Sequence, residues 1–149
     1  VDHLDGQSHY VTSGCVRARG ETFAARLKEI FDGIREITET YHPTEIAIEK
    51  VFVKQNVDSA LKLGHARGAA ICAVQFKDLP VNEYSPTQIK KSVVGKGRAA
   101  KTQVQHMVKI LLNLPAEPQA DAADALAVAL CHIHINNTLR HLHGAMSES

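Results

Sequence analysis

The segment that most constrains this chain is Gln119-Ala120-Asp121-Ala122-Ala123-Asp124-Ala125-Leu126-Ala127-Val128-Ala129-Leu130. Apart from two carboxylates it is almost pure alanine and leucine. Alanine is the best helix former, and Pro118 just upstream suits a helix start. The pattern therefore predicts a helix running to about His134. Positions i and i+3 share a helix face, so Asp121 and Asp124 point the same way from its first turn. Two readings fit that pair. Asp near a helix N-terminus is favoured by the helix dipole, which makes both residues ordinary helix starters. Alternatively they form half of a hard-cation site completed by carboxylates from elsewhere. The choice turns on a third acid carried by a rigid element.

The chain has 149 residues, enough for one domain with a buried core. Its hydrophobic content of 44% and charged content of 22% are those of an ordinary globular protein. No apolar run is long enough to span a bilayer, and no signal peptide is expected, so the reading is cytoplasmic. The net charge of +1 means that an anionic partner must be met by a local patch. Cys15, Cys72 and Cys131 are odd in number, widely spaced and in apolar contexts, which predicts buried, reduced thiols. His132 and His134 fall nearly opposite each other on a helix. Cys131 and His134 share a face but have no second pair at zinc spacing, so structural zinc is rejected.

Read in order, residues 1–11 form a hairpin with Asp5-Gly6 at its turn, a favoured type I′ pair, and a second arm reaching about Arg17. From Phe23 to Tyr41 the apolar residues recur at helical spacing, and His42-Pro43 ends that helix. Glu45-Ile46-Ala47-Ile48-Glu49 reads as a short strand with Glu49 where it gives out. Asn56 caps a helix reaching about Lys77, with a stripe of small residues at Gly64, Gly68 and Ala69. A strand follows over residues 80–84. Ser85-Pro86-Thr87-Gln88 is a capping box with proline at the first helical position, and that helix ends at Gly95. A helix over residues 100–113 precedes the Asp121 helix, and residues 136–149 form a flexible tail. Strands alternating with helices predict an α/β three-layer domain with a mixed sheet.

Three acids are candidates for one site: Glu49 at a strand end, and Asp121 and Asp124 at a helix start. Ends of strands are where sites in open α/β sheets gather, although a charged strand end is also an ordinary solvated edge. Hard oxygen ligands on rigid elements suit Mg²⁺, and two such ions about 4 Å apart can hydrolyse a phosphodiester. From Lys90 to Lys109 the chain carries Lys90, Lys91, Lys96, Arg98, Lys101 and Lys109 and no acid. Such a stretch is either a solvated charged face or a patch for a polyanion. Phe52, three residues after Glu49, is either core or an aromatic that stacks on unpaired bases.

These residues resemble one family closely. Ile48-Glu49-Lys50-Val51-Phe52, Asn56 with residues 58–68, Lys90-Lys91-Ser92-Val93-Val94-Gly95, Val104-Gln105-His106-Met107-Val108 and Pro118 to Ala127 occur in order, with little gapping, as in the bacterial RuvC Holliday-junction resolvases. The resemblance runs from about Tyr10 to His134. It implies a ribonuclease-H-like fold with a five-stranded mixed sheet. It implies a homodimer that nicks four-way DNA junctions symmetrically in recombination and repair. It implies Mg²⁺ or Mn²⁺, two ions per site, held by four acids, of which Glu49, Asp121 and Asp124 match three. Phe52 matches an aromatic that stacks on junction bases, and Lys90 and Lys101 match lysines near the cleaved phosphate. Lys91, Lys96 and Arg98 extend that DNA-binding stretch. The helix after Asn56 corresponds to the dimer interface, and the RuvA–RuvB branch-migration complex is the implied partner.

The family's first strand carries an Asp-Pro-Gly motif that does not occur in this sequence. The expectation is that the natural protein carries this strand ahead of Val1, so that residues 1–135 are an N-terminally incomplete nuclease domain. Because the first strand is central in this fold, two strands are expected to lack a ladder partner. The leading expectation is a metal-dependent, structure-selective endonuclease. The alternatives are a non-catalytic junction-binding protein, since one metal ligand is missing, and a related nuclease acting on RNA–DNA hybrids.

Overall fold

Local signals set most of the elements. The computed structural model describes residues 1–51 and 56–147, of which 141 and 143–147 are described by backbone alone. Asp5 and Gly6 both adopt positive φ, 51° and 78°, as a type I′ turn requires. They join β1 (Asp2–Leu4) to β2 (Gln7–His9) in antiparallel register, with Asp2 opposite His9. The second arm stops at His9 rather than near Arg17, because this register exhausts the first arm. Helix α1 (Phe23–Tyr41) opens on Thr22, whose hydroxyl accepts the Ala25 N–H at 3.1 Å. It closes on His42 in the left-handed region, just before Pro43. After β3 (Ile46–Glu49) comes α2 (Val57–Gln75), capped by Asn56 accepting from the Ser59 N–H at 3.1 Å. Strand β4 (Val81–Tyr84) leads into α3 (Pro86–Val94). The predicted capping box is present there: Gln88 N–H to Ser85 Oγ at 3.2 Å, and Ser85 N–H to Gln88 Oε1 at 2.8 Å.

Helix α4 (Lys101–Leu111) ends in a Schellman motif. Asn113 takes φ 49°, and the Leu114 N–H reaches back to the Lys109 carbonyl at 2.9 Å. Helix α5 spans Ala120–Ser147. It therefore runs well past His134, through the residues expected to fray and through the boundary expected at residue 135. Asn136 and Asn137, the first residues of the expected tail, are tied down by side chains: Asn136 Nδ2 lies 3.2 Å from His132 Nε2, and Asn137 Nδ2 lies 3.0 Å from His3 Nε2.

The described strands form two separate two-stranded sheets, β1–β2 and β3–β4, rather than one five-stranded sheet. Among the described residues no strand ladders the two pairs together. The chain divides into two units. One comprises Val1–Gly14, Ala47–Glu49 and Glu83–Ser149, the other Cys15–Ile46 and Lys50–Asn82. In the first unit, Ile89 and Val93 of α3, Val104 and Val108 of α4, and Leu126, Ala127, Leu130 and Cys131 of α5 form a buried core, with Ala47 of β3 packed against it. Each fully buried Val or Leu there contributes about 1.5–3 kcal/mol.

In the second unit α1 packs on α2. Lys77 Nζ sits at the C-terminal end of α1, 3.5 Å from the Thr38 carbonyl and 3.2 Å from His42 Nδ1, where a positive charge complements the helix dipole. The outer face of α2 exposes Val57, Leu61, Gly64, Gly68 and Cys72. Cys15 and Cys72 are exposed and only Cys131 is buried. Apolar neighbours in sequence misplace Cys72, because α2 turns that side outward. Cys15 lies in the stretch between β2 and α1, which has no regular secondary structure.

Candidate functional site

The start of α5 is built by burial on one side and exposure on the other. Ala122, Ala123, Leu126 and Ala127 are buried, and this anchors the helix. The first rung of the ladder runs from the Ala123 N–H to the Gln119 carbonyl at 2.8 Å. Asp121 is exposed and Asp124, one turn on, is half-buried. Both carboxylates thus project from the rim of a helix whose next positions are locked in the core.

Lys101, the first residue of α4, meets this rim. Its Nζ lies 3.7 Å from Asp124 Oδ2. The turn before it is held by the Ala100 N–H donating to Gln103 Oε1 at 2.8 Å. The structure therefore brings together Lys101 and Asp124, two residues that sequence reasoning singled out separately. One turn further along α4, Gln105 donates from Nε2 to the Pro118 carbonyl at 3.2 Å. His106 beside it faces Glu117, Nδ1 to Oε1 at 3.4 Å, with both side chains largely exposed.

Glu49 is exposed at the end of β3. Alternation along a strand gives it the same side as Ala47, which packs on the core that α5 helps to form. Among the described residues no group of three or more His, Cys, Asp or Glu is arranged to hold a metal ion, so the three acids do not form a closed ligand set. The donor chemistry of the aspartate pair still suits Mg²⁺, which binds through one or two carboxylates and keeps waters for its substrate.

Among the basic residues, Lys91, Lys96, Arg98 and Lys101 are exposed and Lys90 is half-buried. The loop between α3 and α4 is a tight turn, with the Ala99 N–H bonded to the Lys96 carbonyl at 3.2 Å. A Cβ at Gly97 would meet Thr87 Cγ2 at 2.8 Å, so glycine permits the loop to lie on α3. Phe52 lies outside the described residues.

Several polar contacts had no sequence signal. Tyr84 Oη and His132 Nδ1 lie 2.6 Å apart in the core, and Ser92 Oγ lies 3.1 Å from His134 Nδ1. Burial pushes the Cys131 thiol above its ordinary pKa, and a hydrogen bond with Ser92 opposes that in part. A cavity of about 600 Å³, lined by residues 6–10 and 111–113 with Leu130 and His134, contains none of the predicted site residues. Among the described residues no helix is long and apolar enough to cross a membrane.

Comparison with known proteins gives the class first: the solved structures with this chain arrangement define it as an α/β domain of the ribonuclease-H-like class. One, the Thermus thermophilus RuvC in complex with Holliday junction substrate, aligns with a TM-score of 0.85 and 29% identity over 93% of this chain and 85% of that one. Another, the Thermus thermophilus RuvC structure, gives 0.72 and 34% over 79% and 72%. A family model described as "Crossover junction endodeoxyribonuclease RuvC" matches residues 1–132. The protein of that name from Shewanella sp. (strain ANA-3) is 62% identical over 144 residues, 97% of this chain and 83% of the relative. The one from Shewanella woodyi is 61% identical over 145 residues, 97% and 84% respectively. The chain belongs to the RuvC family of crossover junction endodeoxyribonucleases. Membership makes it a phosphodiester-cleaving enzyme and disfavours the non-catalytic alternative.

Proposed function

We propose that the chain resolves four-way DNA junctions by nicking opposed strands, with the mouth of α5 as its catalytic edge. The observation that carries this reading is Lys101 Nζ at 3.7 Å from Asp124 Oδ2. A cation held at a carboxylate rim suits a site where a phosphate must be drawn toward acids that would otherwise repel it. Glu49, Asp121 and Asp124 would hold Mg²⁺ or Mn²⁺, two ions per site. Bound there, such ions supply the acidity that activates water and neutralises the leaving oxygen. Asp121 and Asp124 act as ligands rather than nucleophiles. Lys101 shifts from Asp124 to the scissile phosphate when DNA enters and offsets the charge that develops on it. Lys90, Lys91, Lys96 and Arg98 track the DNA backbone, and Phe52 stacks on bases at the junction.

Symmetric nicking needs two sites, and a homodimer through the outer face of α2 supplies them. Exposed Val57 and Leu61 beside Gly64 and Gly68, where an added Cβ would meet nothing within 4 Å, support that face: it is apolar and lets backbones approach. The reading places the enzyme in the cytoplasm, working with the RuvA–RuvB branch-migration complex. The test is a pre-formed, end-labelled junction incubated with Mg²⁺. Wild-type protein yields paired nicks, whereas Asp124→Asn and Glu49→Gln bind the junction without cutting it. Nicking retained by both variants would overturn the ligand assignment, and preferential cutting of an RNA–DNA hybrid would overturn the substrate.

A further inference from the structure

We infer that Gln105 is a positioning residue for the Asp121–Asp124 pair, holding the mouth of α5 against α4 through the Pro118 carbonyl. The inference rests on the reading that this pair is catalytic, and adds how it is kept in place. Gln105 Nε2 donates to the Pro118 carbonyl oxygen at 3.2 Å, and both residues are half-buried. Pro118 stands two residues ahead of α5, and Asp121 follows three residues after it.

The donor is well placed for this task because α4 does not move easily. Val104, next to Gln105, and Val108, three residues on, are buried at 4% and 0% exposure in the core shared with α5. Lys101 lies one turn before Gln105 on the same face, and its Nζ reaches Asp124. Helix α4 thus touches the entry to α5 at two heights, through Lys101 beyond the acid pair's first member and through Gln105 ahead of it. The connecting loop is already closed at its other end by the Schellman bond from the Leu114 N–H to the Lys109 carbonyl. The neighbouring His106–Glu117 contact grips the same loop but is largely exposed, so water competes with it. That leaves Gln105 as the less hydrated of these two side-chain holds on the loop.

Helix ends open before helix middles. With the Gln105 hold removed, the first turn of α5 frays and Asp121 samples positions away from Asp124. Ligand and catalytic groups need placement to within about 0.5 Å, and a misplacement of about 1 Å caused away from the chemistry can cost about 100-fold in rate.

The test uses the full-length protein with Gln105→Met, which keeps length and apolar stem but cannot donate. The expected result has three parts. Junction affinity without divalent ions stays within about twofold, single-turnover nicking falls by about tenfold or more with a raised Mg²⁺ requirement, and amide exchange quickens at Ala123 and Asp124, the first two bonded rungs of α5, but not at Val104 or Val108. Wild-type nicking, unchanged exchange at Ala123 and Asp124, or a nicking loss that only matches a loss of folded protein would each overturn the inference. Asp124→Asn run in parallel separates it from its parent reading. Undiminished nicking by that variant removes the catalytic assignment of the pair, whatever Gln105→Met does.

Discussion

Replacing Lys101 by Met separates what this side chain does for the fold from what it does for the reaction. The Lys101–Asp124 contact spans 3.7 Å between side chains that are 74% and 46% exposed. At that separation in a water-like dielectric the attraction is about 1 kcal/mol. Side-chain ordering and salt reduce it further, so an exposed pair contributes about 0–1 kcal/mol. Methionine keeps most of the apolar stem, so packing changes little. For a chain of this size, 1 kcal/mol moves Tm by about 2–4 °C, which bounds the expected drop. The effect expected on chemistry is far larger. Removing one preorganised group that stabilises charge in the transition state costs about 10²–10³ in kcat. The assay pairs a thermal melt with single-turnover nicking of a labelled junction at saturating protein, so that weaker binding does not masquerade as slower chemistry. A variant that melts within a few degrees of wild type and nicks at least about 10²-fold more slowly bears out the reasoning. Nicking within about threefold of wild type, under 1 kcal/mol of transition-state stabilisation, refutes it and leaves Lys101 as a surface residue.

Four further outcomes follow from the same structure. Leu130→Ala removes a fully buried side chain from the middle of α5 and is expected to cost about 2.7–5 kcal/mol, read as a fall in the urea midpoint at unchanged m. Ser85→Ala breaks the capping box of α3 and should cost about 0.5–2 kcal/mol in the same measurement. Cys131 should resist thiol reagents until the protein unfolds. Its pKa is raised by burial, so its contribution to stability is fully present below the unfolded thiol's pKa and is lost as pH rises through the folded one. Stability measured against alkaline pH should therefore fall less steeply in Cys131→Ala than in wild type.

Much of the secondary structure was legible because its signals are local. Asp5-Gly6, Asn56, the Ser85–Gln88 box and His42-Pro43 act on backbone groups within four residues, and all of them mark the turns and helix ends observed. The acid pair of α5 was legible for the same reason, since i and i+3 share a face in any helix. Where local signals misled, side chains from distant parts of the chain decided the outcome. Asn136 and Asn137 read as the start of a loose tail, yet α5 continues through them, and Asn137 meets His3 from the opposite end of the sequence. Cys15 and Cys72 read as buried from their apolar neighbours, but Cys15 lies in a stretch without regular secondary structure and α2 packs the face opposite Cys72.

Composition and spacing by themselves determined the alternation of strands and helices, the caps, and which acids and lysines were worth watching. Only the tertiary structure decided that Lys101 stands against Asp124, that Gln105 reaches Pro118 across 13 positions, and that Tyr84 meets His132 across 48. The physical reason is one of range. Backbone capping and helical periodicity are satisfied within a single turn. A side-chain contact between elements exists only after core residues such as Val104, Val108 and Leu126 have chosen how those elements pack.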